Sequence, residues 1–186
     1  MFKDWFPNVT EASVFKPITP GRGLYQCKQS MPWPVWPRDM TFTATGMFDH
    51  QRGGGVLSCI KSVDVGSKYF GANVPDTADG HVRIDIKRGY HYFQRISDTQ
   101  TRYITIFNSD PQLSYTPTWL MNFMMTKICY QMLVLIQEKS KDVPNSEFGK
   151  RMIEKKELYD KYRSKMDAAW KLADEAKALK EANESN

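Results

Sequence analysis

Cysteine is scarce in this sequence, and its placement argues against disulfide or zinc chemistry. The three cysteines, Cys27, Cys59 and Cys129, lie in apolar or alternating runs and have no Cys-x-x-Cys spacing. A disulfide scaffold or a cysteine-rich metal site would need more cysteines at closer intervals. We therefore expect free, buried thiols in a reducing compartment.

Catalytic motifs are also absent. The sequence has three histidines, which fall in predicted turns or near strand ends: His50, His81 and His91. No Gly-x-Ser-x-Gly, His-Glu-x-x-His or Walker pattern occurs, and Gly53–Gly55 is not followed by the Lys-Ser/Thr of a phosphate-binding loop. We predict a protein that is not an enzyme, with surface histidines, no metal and no cofactor other than a bound lipid.

No segment has the pattern of a signal peptide or of a clear membrane span. The start of the chain is short and mixed, and it contains Asp4. The most apolar stretch, Trp119–Ile136, is interrupted by Asn122, Lys127 and Gln131 and is predicted to be too short to span a bilayer. The expected location is intracellular, either cytoplasmic or in an organelle interior, mitochondria included.

The composition is that of one globular domain with an appendage. Its 186 residues are 41% hydrophobic and 13% aromatic, which is enough for a core and excludes wholesale disorder. The net charge of +5 is small, and much of it lies in a mixed Lys and Glu region in the last third. Aromatic strands with nearby Lys and Arg could imitate a nucleic-acid platform, but these aromatics are expected to face the core. No nucleic acid is predicted as a partner.

The first two thirds of the chain alternate apolar and polar residues in the manner of β-strands. Turn residues separate about six such runs, which predicts an antiparallel meander. The runs are Glu11–Ile18, Gly23–Gln29, Met40–Phe48, Val56–Val65, the pair Val82–Ile86 and Tyr90–Ile96 on either side of a bulge or bend at Arg88–Gly89, and Arg102–Asn108. Residues 66–80 are predicted to be a long polar loop.

A long helix follows the strands, so the predicted fold class is α+β. Thr116 is the predicted N-cap and Pro117 the first helical residue. The strongest apolar face is Met121, Met125, Ile128, Met132 and Ile136. A helix this apolar needs a cover, and a curved sheet is the obvious one. Methionine suits either a packed core or a cavity for flexible chains, and these two alternatives stay open.

A second helix is predicted from Ser146 to about Ala182, after a hinge at Val143–Asn145. Met152, Tyr159 and Met166 recur every seven residues, and Tyr162 lies three residues after Tyr159. Three interpretations remain open for this seam: packing on the chain's own domain, docking on a partner protein, or lying on a membrane. The four named residues are the predicted partner-binding site.

Four motifs in register resemble the steroidogenic-acute-regulatory-related lipid-transfer (START) domains. They are Asp4–Val9 (DWFPNV), Pro32–Asp39 (PWPVWPRD), Gly80–Arg83 (GHVR) and Ser109–Asn122 (SDPQLSYTPTWLMN). They cover about residues 4–140 in the family's order. The resemblance implies a helix-grip fold, in which a curved sheet closed by a long helix encloses a tunnel for one lipid, and it implies lipid binding or transfer.

The resemblance also assigns roles to residues. It places Met121, Met125, Ile128, Cys129 and Met132 against the lipid as the lid of the tunnel. It places Trp33, Trp36 and Arg38 in the loop at the tunnel mouth, where the indoles would suit a membrane interface. The class of lipid, phospholipid or sterol, is left open. Some family members carry a buried basic residue six positions beyond the motif arginine, where this chain has Ala44.

The chain departs from the family at both ends. The family's first helices and first three strands have no counterpart here, which predicts a bare edge on the last strand. We therefore predict a partial START-like domain at 1–141 and an amphipathic helical extension at 142–186. The alternative function is a non-enzymatic accessory subunit of a larger assembly, membrane or mitochondrial, in which a protein partner completes the sheet edge or binds the C-terminal helix.

Overall fold

The computed structural model describes residues 2–33, 35–49, 54–113 and 116–184. Along the chain the strands are β1 (Val9–Thr19), β2 (Arg22–Gln29), β3 (Arg38–Asp49), β4 (Gly55–Ser62), β5 (Lys68–Tyr69), β6 (Ala72–Asn73), β7 (Val82–Arg83), β8 (Asp85–Arg95) and β9 (Thr101–Asp110). The helices are α1 (Thr118–Ser140), α2 (Glu147–Glu154) and α3 (Lys156–Glu184). His50 and most of the predicted turn between β3 and β4 lie outside the described residues.

The six long strands form one antiparallel sheet in the order β1-β2-β3-β4-β8-β9. This confirms the predicted six-stranded meander. Two short features were not predicted: β7 pairs in parallel with the start of β3, and β5 and β6 form a small hairpin within the polar loop. This loop connects β4 to β8, and the two strands are neighbours in the sheet.

Inward-facing residues of the central strands form the core. The cluster consists of Cys27, Met40, Phe42, Ile60, Ile84 and Ile86, with Tyr25 and Ala44 packed against it. Cys27 lies opposite Met40 in the β2–β3 register, and Tyr25 lies opposite Phe42 with the two rings stacked 5.8 Å apart. Burying a side chain such as Ile86 stabilises the fold by about 1.5–3 kcal/mol. The buried apolar side chains that stabilise the sheet therefore lie mainly on its concave face.

The predicted bend at Arg88–Gly89 is present as a shift of register between Ile86 and Arg88. Gly89 has a packing reason to lack a side chain: a Cβ there would lie 2.8 Å from the ring of Phe107 and 3.2 Å from the Cβ of Ile60. The glycine therefore lets the Phe107 ring of β9 lie across β8.

Helix α1 begins one residue later than predicted. Pro117 has an extended backbone (φ −57°, ψ 140°) and acts as the cap, its carbonyl accepting from the N–H groups of Leu120 and Met121. Thr116 is therefore not the cap. A proline fits this position because the residue before the first helical turn needs no intrahelical donor.

Helix α1 is less covered than its apolar sequence predicts. Met132 is its one buried residue in the described chain, and much of the remaining surface is exposed. Its 23 residues span about 35 Å. By length and composition alone it could cross a membrane, with a mean hydropathy of 1.3 in its best window. A helix of a soluble protein passes the same test, so the expectation that this segment does not span a membrane stays a prediction.

The predicted C-terminal helix is broken into two. Ser146 caps α2 as expected, its side chain accepting from the Gly149 N–H at 3.4 Å. The helix ends at Glu154, because Lys155 has a non-helical backbone (φ −114°, ψ 38°), and α3 begins directly afterwards. No sequence feature at Lys155 explains the break.

Helix α3 packs against its own sheet near the β3–β4 turn. Gly54 has a positive φ of 79°, and a Cβ on it would lie 2.8 Å from the carbonyl oxygen of Met166. Ala169 is buried, and the guanidinium of Arg95 lies over the ring of Trp170 at 5.1 Å. This part of α3 therefore packs on the chain's own domain, which was one of the three interpretations left open.

Candidate functional site

A cavity of about 340 Å³ lies on the concave face of the sheet. Its described lining is mostly apolar and comes from five strands, the N-terminal segment and α2. The lining residues are Trp5, Ala12, Ser13, Val14, Tyr25, Cys27, Phe42, Ala44, Ser58, Ile60, His91, Phe93 and Arg151. The volume lies within the range of about 300–1,000 Å³ that small-molecule sites occupy.

Strand alternation and register bring these side chains together. Val14, Tyr25 and Phe42 are successive partners across β1, β2 and β3, so their side chains point to the same face. The outer part of this wall is open to solvent, because Val14 is 53% exposed and Phe93 is 37% exposed. The cavity is therefore an apolar groove that is open on one side.

A second cavity of about 210 Å³ adjoins the first and reaches α1. It shares Trp5 and Phe93 with the first cavity and adds Ile136, Val143 and Phe148 from the C-terminal half of the chain. The end of α1 and the start of α2 therefore lie over the same apolar surface that the sheet presents.

One polar cluster interrupts the apolar lining. The Nδ1 atom of His91 lies 2.6 Å from the Tyr103 hydroxyl and 3.1 Å from the Thr105 hydroxyl, both on β9. Burial lowers the pKa of His91, so its neutral form is favoured. Burial likewise raises the pKa of Tyr103, and the nearby Cys129 adds to that shift.

The prediction of a surface histidine at position 91 was wrong. His91 is 6% exposed and lies in the middle of β8, because the strand begins at Asp85 and continues through the bend at Gly89. The sequence analysis placed the start of this strand near Tyr90, which put His91 at its end. Alternation with the apolar Phe93 on the same face was the signal that could have identified it as inward-facing.

All three cysteines are free, as predicted, but they are not equally buried. Burial raises the pKa of the Cys27 thiol to about 12, which suppresses its reactive thiolate form. Cys59 is half-buried, and Cys129 is exposed on α1. The expectation of buried thiols therefore holds for Cys27 and is wrong for Cys129, because α1 is not covered at that position.

The predicted mouth loop exposes its tryptophans and buries its arginine. Trp33 is 92% exposed and Trp36 is 65% exposed. Arg38 donates to the carbonyl oxygens of Trp36 (2.5 Å), Pro111 (2.8 Å) and Gln112 (3.3 Å). The guanidinium thus fastens the loop to the turn that leads into α1. Pro34 of the same motif and residues 114–115 of the later one lie outside the described residues.

The adjacent motif residue, Asp39, forms a buried ion pair. Its carboxylate is fully buried and accepts from Arg83 Nε at 2.7 Å, from the second Arg83 nitrogen at 2.8 Å and from the Ala78 N–H at 3.0 Å. Arg83 also donates to the carbonyl oxygen of Asp76. This pair joins β3 to β7 and to the polar loop, so the two sequence motifs meet in space.

The five predicted lid residues share one side of α1. Met132 is buried, Met121, Met125 and Ile128 are half-buried, and Cys129 is exposed. None of them lies in the described lining of the 340 Å³ cavity. Their contact with a lipid stays a prediction.

The predicted partner-binding residues of the C-terminal region also share one surface. Met152, Tyr159, Tyr162 and Met166 line a single depression with Arg95 of β8. Part of this face is thus turned toward the chain's own sheet. Docking of a partner there stays a prediction.

The last strand has an unpaired edge in the part of the chain that the structure describes, as predicted. β9 pairs with β8 alone and ends the sheet. Helix α1 adds an exposed apolar stripe, consisting of Trp119, Phe123, Tyr130 and Leu133 at helical spacing. Edges and stripes of this kind attract partner chains.

No group of three or more His, Cys, Asp or Glu side chains is placed to hold a metal ion within the described ranges. Polar side-chain atoms in the described lining belong to Trp5, Ser13, Tyr25, Cys27, Ser58, His91 and Arg151.

Comparison with known proteins identifies the architecture. No family model and no curated protein sequence matches the chain. Among solved structures, human StAR-related lipid transfer protein 5 matches with a TM-score of 0.62 and 18% identity, over 75% of this chain and 63% of that one. The lipid transfer and protein localization domain of human StarD13 matches with a TM-score of 0.59 and 17% identity, over 74% and 64%. A fragment of a STAR-related lipid transfer protein from Xanthomonas axonopodis matches with a TM-score of 0.53 and 20% identity, over 76% and 72%.

The chain spans about three fifths of the length of the first two structures. At such low identities the likeness bears on the fold. The curved antiparallel sheet, the long helix after its last strand and the order of the motifs all agree with it. This chain has the helix-grip fold of START domains.

Proposed function

We propose that this chain binds one lipid in the apolar groove on the concave face of the sheet, which the adjoining cavity extends to α1. The observation that carries the proposal is the cavity of about 340 Å³ with partly exposed apolar walls. Apolar surface left open in a folded chain is a common mark of a binding site, because covering it releases water. The similar structures are named as lipid transfer proteins, which supports the same ligand class.

The predicted lid residues complete this proposal. Met121, Met125, Ile128 and Met132 would contact the ligand from the helix side, with Cys129 at the margin. Trp33 and Trp36 would rest in the membrane interface when a lipid enters or leaves, since indoles favour that region. Arg38 would hold the loop in place rather than contact the ligand, since its donors are used by backbone carbonyls.

The test is native mass spectrometry of the purified chain, with organic extraction of whatever co-purifies. We expect one lipid per chain. Ala44→Trp should fill the groove and abolish lipid retention, because Ala44 lines the cavity. Thr43→Trp is the matched control, since adjacent residues of a strand point to opposite faces. Recovery of lipid-free wild type after incubation with lipid vesicles would refute the proposal.

A second candidate function is that of a non-enzymatic accessory subunit in a larger assembly. The unpaired edge of β9 and the exposed stripe of α1 favour it, because both would be covered by a partner that extends the sheet. Hydrogen exchange of the amide groups of Ile104 and Ile106 would test it. Protection of these amides in the isolated native complex, with fast exchange in the chain alone, is the expected result. Equal exchange in both samples would contradict this function.

A further inference from the structure

His91 and its two neighbours form a polar site inside an apolar cavity. The imidazole lines the cavity together with Trp5 and Phe93, and it is more than nine-tenths buried. Its Nδ1 atom is in hydrogen-bond contact with Tyr103 and Thr105. The β8–β9 register fixes this geometry, because His91 lies opposite Thr105 and Phe93 lies opposite Tyr103.

The second ring nitrogen, Nε2, has no hydrogen-bond partner among the described residues. The Trp5 ring stands edge-on to the imidazole at 6.2 Å, and its carbon-rich surface offers no replacement for water. Nε2 is not one of the fully buried polar atoms that lack a partner, so it is accessible from the groove. An accessible polar atom with no protein partner in an apolar cavity is a candidate for a ligand contact.

We propose that Nε2 of His91 binds the oxygen of an uncharged lipid that carries a hydroxyl group. This inference rests on the proposed lipid-binding function and names the chemistry of its ligand. A hydroxyl group both donates and accepts, so it pairs with Nε2 in either tautomer of the neutral ring.

A hydroxyl fits this site better than a charged group. The Tyr103 and Thr105 hydroxyls that contact His91 are uncharged groups. The guanidinium of Arg151 is the one full charge in the described lining, and it comes from α2 rather than from the β8–β9 pair. A carboxylate brought to His91 would lose its hydration without gaining a full opposite charge there.

A third hydroxyl belongs to β4, the strand on the other side of β8. Ser58 of β4 lies opposite His91 in the β4–β8 register, and its side chain also lines the cavity. It is therefore part of the binding surface, and the control variant comes instead from Thr43 of β3, on the opposite face of the sheet.

The experiment compares dodecanol, dodecane and dodecanoate as competitors of an uncharged fluorescent naphthylamine probe on the full chain. We expect His91→Phe to weaken dodecanol binding by roughly tenfold, the usual effect of removing one buried hydrogen bond. Dodecane binding should stay within roughly twofold of wild type in that variant. Thr43→Ala should leave both affinities unchanged, because Thr43 is adjacent to Phe42 on β3 and its side chain points to the opposite face of the sheet. Tyr103→Phe removes one hydroxyl without changing the ring shape, and it should reduce dodecanol binding selectively if His91→Phe does not fold.

The outcomes separate this inference from the proposed function. Equal weakening of dodecanol and dodecane in His91→Phe would overturn the hydroxyl site while leaving lipid binding intact. Tighter binding of dodecanoate than of dodecanol to wild type would overturn it too. If wild type binds none of the three competitors and not the probe, the proposed function fails and this inference fails with it.

Discussion

Replacing Asp39 by asparagine should destabilise the fold by about 4 kcal/mol, because it leaves the Arg83 guanidinium buried without its counter-ion. The Asp39 side chain is fully buried, and that of Arg83 is 14% exposed. Two hydrogen bonds of 2.7 and 2.8 Å join the pair in a bidentate arrangement, for which solvent screening is weak. For a chain of this size, the loss corresponds to a fall in Tm of roughly 8–16 °C.

The assay is urea unfolding at neutral pH, followed by tryptophan fluorescence. Asp85→Asn is the matched control, since the Asp85–Lys87 pair is exposed on both sides and should contribute little to the free energy of unfolding. Arg83→Gln and the double variant complete a cycle. We expect the double variant to be clearly less destabilised than the sum of the two single changes, because neither charge is then left unpaired.

Two results would refute this reasoning. A cost below about 1 kcal/mol for Asp39→Asn would mean that water reaches the pair and screens it. Additive single and double variants would mean that the two side chains do not interact in the folded chain, whatever their individual costs.

Three further predictions concern the cavity and the C-terminal helix. Burial lowers the pKa of His91, so the unfolded chain binds the proton more readily and the free energy of unfolding should fall as pH drops below about 6.5. His91→Phe should reduce the dependence of the free energy of unfolding on pH in urea titrations from pH 7.5 to 5.5. An unchanged dependence would contradict the burial of a neutral His91. Gly54→Ala should release α3, since its Cβ would meet the carbonyl of Met166 and the positive φ disfavours alanine; faster proteolysis of the C-terminal region is expected, and wild-type resistance would argue against this docking. Iodoacetamide should modify Cys129 at pH 8 well before Cys27, whose pKa is raised to about 12; equal rates, read by peptide mass spectrometry, would show that the cavity is open to reagent.

Local patterns in the sequence were enough to predict the elements of this fold. Alternation in residues 11–108 defined the six long strands, and the apolar run from Trp119 defined α1. The bend at Arg88–Gly89 and the cap at Ser146 were also readable, because each depends on the chemistry of a few adjacent residues. The motifs around Arg38 and Asp39 pointed to a helix-grip fold before any contact was known.

Contacts between distant residues decided the site. His91 became a cavity residue only when β8 was seen to begin at Asp85, since a shift in where a strand begins changes which residues are central. Asp39 and Arg83 are 44 residues apart, and only the pairing of β7 with β3 brings them together. Local sequence pattern also does not predict whether an apolar helix is covered, because its sequence is the same whether or not other residues pack on it. The sequence by itself therefore determined the strands, the helices and their order, whereas the tertiary structure alone decided which polar groups are buried and which apolar faces remain open.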